Sequence, residues 1–412
     1  MFADLLLVVG ILGTLSSSVY LALVLAGVLR FRRASNITHA HRSTAKAGPG
    51  VTLLKPLHGV EPRLRENLET FFRQQYPEFE LVFGLRSERD PALHIVRDLI
   101  AQYPGVSVRV VISGEPTWPN AKVYNLNRMR AAASHDYFII SDSDVSVSPG
   151  YVASVMDELL QPGVGVVTCP YRGIATRGVW SKLEALGMSV ELPSGVLVAN
   201  LLEGMKFALG PTMAIRRDCL DAIGGFPALA DYLADDFVLG NRAAAAGYEV
   251  VLSHCIVDHI IVQSGMAASF QHQVRWTKST RRSRPKGHLG TGLTFAIPFG
   301  IVGLLGAVLS GPSYLAVTGL PHLGVALFLC AVANRTLQCW AVGYVALHDR
   351  QALRLALLYP LRDLLGFFFW AASYFGGRDT TWRGERYVIS ADGRMIRHPE
   401  LAPAVESKRL SA

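Results

Sequence analysis

The sequence predicts an α/β domain built on a parallel sheet, held between an N-terminal transmembrane anchor and a C-terminal transmembrane helical region. Three observations lead there. Half of the 412 residues are hydrophobic and only 17% are charged, a balance too apolar for an ordinary soluble protein. The apolar excess collects at the N-terminus and in the last third. Between them, short β-rich runs alternate with amphipathic helical stretches, the pattern of a parallel sheet covered by helices on both faces. The expected units are an anchor over residues 1–33, a globular domain over 48–288, a membrane region over 291–376 and a tail over 377–412.

The anchor, "FADLLLVVGILGTLSSSVYLALVLAGVLRFRR", stays apolar for well over 20 residues, enough for a helix to span a bilayer. A cleaved signal peptide would carry positive charge ahead of a shorter apolar core. Here the one early charge is Asp4, and Arg30, Arg32 and Arg33 follow the segment. Cations gather on the cytosolic side, so the N-terminus is expected outside and the globular domain in the cytosol. Cys169, Cys219, Cys255, Cys330 and Cys339 form no CxxC pair, which argues against a disulfide framework or a zinc site. Net charge is +8, and the basic run "KSTRRSRPKGH" at 278–288 borders apolar segments. With no nucleic-acid-binding motif beside it, that run reads as facing an anionic lipid leaflet. No nucleic-acid partner is expected.

In the globular domain, "VTLLKP", "FELVFGL", "VSVRVVI" and "DYFIISD" read as strands. "PRLRENLETFFRQQ", "PALHIVRDLIAQY" and "AKVYNLNRMRAAAS" read as the helices between them. The second half is less regular, with strands at "VGVVTCPY", "FALGPTMAIRR" and "YEVVLSH" and a helix at "ADDFVLGNRAAAAG". "VELPSGVLVANLLEGM" is apolar but carries Glu191, Pro193 and Glu203. It is expected to lie on the membrane surface or in an acceptor region, not to span. Later, "TGLTFAIPFGIVGLLGAVLSG" and "YLAVTGLPHLGVALFLCAVA" read as spans. "ALRLALLYPLRDLLGFFFWAASYFGG" reads as a third span or a re-entrant segment, with Arg362 and Asp363 facing protein or each other. The stretch after residue 390 reads as a flexible tail.

Ligands bind outside the carboxyl ends of parallel strands, and "FIISDSDVSV" places Asp142 and Asp144 at such an end. Residues i and i+2 of an extended chain point the same way. Two carboxylates so placed suit Mg²⁺ or Mn²⁺, shared with substrate phosphates; the bland alternative is a solvated, helix-capping turn. Asp235 and Asp236 precede a helix, where one can cap and the other act as a general base. Arg275 and Trp276 in "HQVRWTKS" offer a phosphate fork beside an aromatic slab, or else a plain interfacial anchor. Asp90 precedes Pro91 and suits either an N-cap or the imide N–H of uracil. Lys122 stands at a helix start, where phosphate is favoured. "HCIVDH" shows no third ligand and does not read as a metal site.

Asp90, Asp142, the Asp235 and Asp236 pair and the R-W of "HQVRW" resemble, in this order, the D, D, D, (Q/R)xxRW series of membrane-bound GT-A glycosyltransferases. "VTLLKPLHGVEPRLRENLETFFRQQYPEFELVFGL", "DPA", "NAKVYNL" and "WRGERY" are similar to the ceramide glucosyltransferase family. Among its relatives, "GVGVVTCPYRG", "GGFPALADYLADDFVLG" and "HQVRW" look most like the bacterial hopanoid-biosynthesis glycosyltransferases, which add N-acetylglucosamine to bacteriohopanetetrol. The resemblance implies a Rossmann-like GT-A domain and an inverting hexosyl transfer from a UDP-sugar to a membrane lipid, on the cytosolic face of a bacterial inner membrane. It implies that Asp90 contacts uracil, and that Asp142 and Asp144 hold nucleotide and metal. Asp236 becomes the base with Asp235 beside it, Lys122 lies near phosphate, and Arg275 and Trp276 shape the diphosphate and acceptor side. His272 replaces the family's Gln or Arg, so His272 and Gln273 are expected on the acceptor side without a fixed charge. The full D-x-D, where ceramide enzymes can carry a lone Asp, favours a metal.

Overall fold

The computed structural model describes residues 1–40, 48–261, 265–310, 322–375, 377, 379–382, 385–390 and 392–397. The chain opens with α1 (Phe2–Ala40), continuous past the expected boundary at residue 33. Then come β1 (Val51–Pro56), α2 (Leu64–Phe72), β2 (Phe79–Leu85), α3 (Ala92–Gln102), β3 (Ser107–Ile112), α4 (Ala121–Ala132) and β4 (Tyr137–Ser141). This is the expected β/α alternation. The second half adds β5 (Val145–Ser146), α5 (Tyr151–Leu159), β6 (Val164–Thr168), β7 (Tyr171–Ala175), α6 (Gly178–Leu186), a π-helical turn (Gly187–Glu191) and α7 (Leu192–Glu203). After these run β8 (Thr212–Arg216), α8 (Arg217–Ala222), α9 (Asp235–Ala245), β9 (Glu249–Leu252), β10 (Val257–Ile261), α10 (Met266–Ser283), α11 (Pro285–Thr291) and α12 (Ile297–Leu309).

The main sheet has seven strands in the order β3-β2-β1-β4-β8-β6-β9. β3, β2, β1 and β4 are parallel, β8 runs antiparallel between β4 and β6, and β9 is parallel to β6. This mixed sheet is the Rossmann-like GT-A domain the sequence predicted. β1 is buried along its whole length and β4 at all but Tyr137, as expected of central strands covered on both faces. A small second sheet, β5-β10-β7, continues from the end of β4.

Among the described residues, three helices are long and apolar enough to cross a membrane, at 2–34, 178–203 and 323–346. The first and third pack with α12. A Cβ on Gly10 would stand 2.3 Å from the Gly303 Cα, and one on Gly306 2.6 Å from the Leu7 nitrogen. Small residues let the backbones of α1 and α12 touch. The levels run in opposite senses, so α1 and α12 are antiparallel. The helix Leu323–Gln338 runs back beside α12, since a Cβ on Gly324 would meet Ala307 and one on Gly300 would meet Ala331. Part of the second expected span, at 314–321, lies outside the described residues. The apolar helix at 178–203 leaves from β7 of the small sheet and returns to β8 of the main sheet, both parts of the one globular domain. It therefore ends on the side where it began, as the sequence suggested.

The last apolar segment is broken into Arg350–Arg354, a 3-10 turn and Tyr359–Ala372. Fourteen residues of helix fall short of the ~20 a span needs. Arg362 and Asp363 do face protein, but not each other. Arg362 pairs with Glu191 at 2.7 Å, and Asp363 lies 3.5 Å from Arg335. Asp363 also accepts the Ala296 and Ile297 N–H groups at 3.0 and 2.9 Å, closing the N-terminus of α12. The expected loose tail is corrected in part. β11 (Asp379–Trp382), β12 (Glu385–Ile389) and β13 (Met395–Arg397) form a three-stranded sheet. It docks on the globular domain, where Met395 N–H donates to the Asp231 carbonyl at 2.6 Å. Residues 398–412 lie outside the described residues.

Candidate active site

β4 delivers Asp142 and Asp144 on a turn pinned from every side. The Asp142 N–H donates to the Pro211 carbonyl at 3.0 Å, and the Asp144 carbonyl accepts from Ile260 N–H at 2.9 Å. Between them, Ser143 Oγ donates to Glu61 at 2.7 Å, and Asn67 donates to the Ser143 carbonyl at 3.2 Å. From beneath, fully buried Lys55 on β1 donates to the Asp142 carbonyl at 2.5 Å and reaches Ser141 Oγ at 3.3 Å. Its ammonium also lies 3.7 Å from the Phe71 ring centroid. Burial pulls the Lys55 ammonium down to about 7, against the support of Asp142, Asp144 and Glu61.

Lys122, at the start of α4, holds Asp142 Oδ1 at 2.6 Å. Burial weakens its charge, but Asp142, Asp235 and Asp236 outweigh that, and the ammonium stays firmly protonated. Asn120 caps the same helix by accepting from Val123 N–H at 3.1 Å, and its amide donates to the Tyr232 carbonyl at 2.8 Å. That joins α4 to the loop before α9.

Asp235 and Asp236 form the first turn of α9, where the helix dipole favours negative charge. The N-cap position of α9 falls on Ala234 and not on either aspartate, but their surroundings differ. Asp235 is buried, and the Asn120 amide points at its Oδ1 from 3.4 Å. Asp236 is only half-buried. A Cβ on Gly210 would come within 2.9 Å of Asp236 Oδ2, so the glycine leaves room for that oxygen. Burial, then the neighbouring Asp235 charge, push the Asp236 carboxyl up to about 7.

The remaining residues divide. Trp276 packs on the core and sets its ring 6.3 Å from that of His259, edge to face. Arg275 makes no hydrogen bond or ion pair among the described residues, and burial lowers its affinity for the proton. His272 sets its ring 5.4 Å from that of Trp276 and its Nδ1 2.6 Å from Glu184 of α6, a residue 1% exposed, while Gln273 donates to Ser269. His272 thus ties α10 to α6. Asp90 accepts both the Gly59 N–H, at 3.0 Å, and the Ala92 N–H, at 2.9 Å. It bridges the loop after β1 to the start of α3.

Lys55 was missed; a lysine inside a strand otherwise reading as buried was the available signal. His259, in the "HCIVDH" stretch, was set aside for want of a third ligand. β10 pairs with β5 so that His259 lies opposite Val145, next to Asp144. His259 Nε2 stands 3.5 Å from Asp144 Oδ2, and the other Asp144 oxygen is buried without a partner. A gap of 3.5 Å is long for a hydrogen bond. Among the described residues no three His, Cys, Asp or Glu side chains converge on a metal position.

A cavity opens at the carboxyl ends of β1, β2 and β3. Leu57, His58, Arg86 and Ser113 line it, with Tyr124 and Asn125 from α4 and Tyr387 from β12. The Asn125 amide donates to the Gly84 carbonyl at 2.8 Å, and its buried oxygen has no partner.

Residues 9–395 match the model of glycosyl transferase family 21. The chain belongs to that family. It is 29% identical over 236 residues to ceramide glucosyltransferase 1 of Caenorhabditis elegans, covering 56% of this chain and 49% of the relative. It is 37% identical over 114 residues to the ceramide glucosyltransferase of Komagataella phaffii, covering 27% and 22%. The chain thus spans about half the length of the first of these relatives and less of the second. Among solved structures, a mannosyltransferase from Pyrobaculum calidifontis in complex with GDP-Man and Mn²⁺ aligns at 17% identity and a TM-score of 0.47, over 89% of this chain and 99% of that one.

Proposed function

We propose that this family 21 member is an inverting hexosyltransferase that moves glucose or N-acetylglucosamine from a UDP-sugar to the hydroxyl of a membrane lipid. One observation carries the reading: Asp236, poised near neutrality, shares a site with the Asp142 and Asp144 turn and with Lys122. A base, a diphosphate-binding end and fixed cations are what hexosyl transfer needs.

Asp236 takes the proton of the lipid hydroxyl as its oxygen bonds to the anomeric carbon. The bond from that carbon to the diphosphate breaks, and its electron pair leaves with UDP. The transition state resembles an oxocarbenium ion. Lys122 and Arg275 face the developing charge, and Trp276 walls the sugar. The nucleoside occupies the cavity beside β1, β2 and β3, lined by Tyr124 and Asn125 of α4. Asp90 then acts by fixing the loop after β1.

Asp142 and Asp144 would hold Mg²⁺ or Mn²⁺ together with the donor's phosphate oxygens, with His259 beside Asp144. The orphaned Asp144 oxygen and the ammonium seated on Asp142 both mark a place for positive charge. When bound there, such an ion would supply positive charge to neutralise the departing diphosphate. EDTA is expected to stop transfer, with restoration by Mn²⁺ or Mg²⁺; full activity in chelator removes the metal.

The relatives named as ceramide glucosyltransferases favour glucose and ceramide. The motifs at 163–173, 224–240 and 272–276 favour a hopanoid such as bacteriohopanetetrol with N-acetylglucosamine. In either case the acceptor enters from the bilayer along residues 192–209, on the cytosolic face of a bacterial inner membrane. Mass spectrometry of products from purified protein, given both donors and both lipids, decides. A glycolipid of one pairing names the enzyme; polymer or no product overturns lipid transfer.

A further inference from the structure

We propose that the C-terminal sheet completes the nucleoside pocket, with Tyr387 as its outer wall. The proposal rests on the nucleotide-sugar reading above and adds a part that the site motifs do not contain. Most of the pocket comes from the strand ends of the first half-sheet and from α4. Tyr387 comes instead from β12, which follows all of the apolar helices. Its side chain is nearly fully buried, although the strand lies at the outside of the domain.

Specific contacts seat that strand. Met395 N–H donates to the Asp231 carbonyl, and Arg394 bridges to Tyr232 with its guanidinium 5.6 Å from the ring centroid. Ile389 and Met395 are buried. Asp231 and Tyr232 belong to the loop that leads into Asp235 and Asp236, and Asn120 ties the same loop to α4. A planar aromatic wall suits a flat heterocycle, because any base offers a π-face to stack on. Without the sheet the pocket would lie open on that side, and the base would stay wetted.

The experiment is calorimetric titration of full-length protein in detergent with UDP and, separately, with inorganic pyrophosphate, both with Mn²⁺. Tyr387→Ala is expected to weaken UDP at least 10-fold, about 1.4 kcal/mol, and to leave pyrophosphate unchanged. Tyr387→Phe keeps the ring and should bind UDP within 3-fold of wild type. Arg394→Ala loosens the seat away from the pocket and should weaken UDP 2- to 5-fold, which keeps the test open if Tyr387→Ala fails to fold. Unchanged UDP binding in Tyr387→Ala overturns the proposal. So does equal weakening of UDP and pyrophosphate, which would mean general loosening. Wild type that binds pyrophosphate but not UDP overturns the nucleotide reading itself.

Discussion

Asp236 has to lose a proton before it can accept one, so its position near neutrality sets a pH profile. Burial and Asp235 hold the carboxyl up at about 7. Acceptor kcat/KM is therefore expected to rise about tenfold per pH unit below 7 and to level off above about 8. A flat profile from pH 5 to 8 contradicts the assignment. The same shift has a cost in stability. The fold prefers the protonated acid, so the penalty is absent below the unfolded value near 4 and complete above about 7. Asp236→Asn is expected to abolish transfer, bind UDP within 2-fold of wild type, and melt higher than wild type at pH 8 but not at pH 4. Lost nucleotide affinity with normal turnover would remove Asp236 from the base role. At this scale the carboxylates were legible because each recurs in a spaced series. His259 was not, because its partner Asp144 is more than a hundred positions away and only the pairing of β5 with β10 brings them together.

Among the elements, the early β/α alternation was readable because each strand is central and each helix amphipathic. The helix at 178–203 was harder, since its apolar faces meet protein on one side and its charges are hidden in pairs. Glu191 in its π-helical turn holds Arg362 of the helix Tyr359–Ala372. Gly187 makes room, for a Cβ there would fall 2.4 Å from the Arg362 guanidinium. Asp363 meanwhile holds Arg335 and the start of α12. Removing one member of such a pair strands the other, at ~3–5 kcal/mol when both are buried. Glu191 is 38% exposed at its side chain, so the expected loss is smaller, about 2–3 kcal/mol for Glu191→Leu. The double variant Glu191→Leu with Arg362→Met should recover most of it. Thermal unfolding of both single variants and the double variant closes this cycle. Additive losses would show that the two side chains do not stabilise the helix through each other.

For the whole molecule, the order of units was legible and the path through the membrane was not, because hydropathy marks apolar segments without saying which of them turn back. Packing supplies that order. α1 leads towards the globular domain, and its Ser16 hydroxyl donates to the Leu293 carbonyl just before α12 begins. From there α12 runs back along α1 towards residue 7. The helix Leu323–Gln338 returns, with Asn334 donating to the Ser17 carbonyl and Arg335 to that of Thr294. α12 therefore starts level with the middle of α1. The half of α1 nearer the globular domain is covered instead by α7, where a Cβ on Gly27 would touch Leu197, and Arg30 donates to the Asn200 and Leu201 carbonyls. We propose three passes: α1, 323–346 and α12, which at 13 residues is short for a span but packs lengthwise and antiparallel between the other two. The C-terminal sheet, docked on Asp231 and Tyr232, must then share a side with the catalytic domain, and residue 1 must lie on the other. We propose, from the cations after α1, that this side is the cytosol. A reporter fused before residue 1 is expected to be reached from outside intact cells, and one fused after residue 397 only after permeabilisation. Both reporters on one side would mean an even number of passes. Tyr387 could not then reach the nucleoside pocket, so this measurement also tests the docking on which that pocket depends.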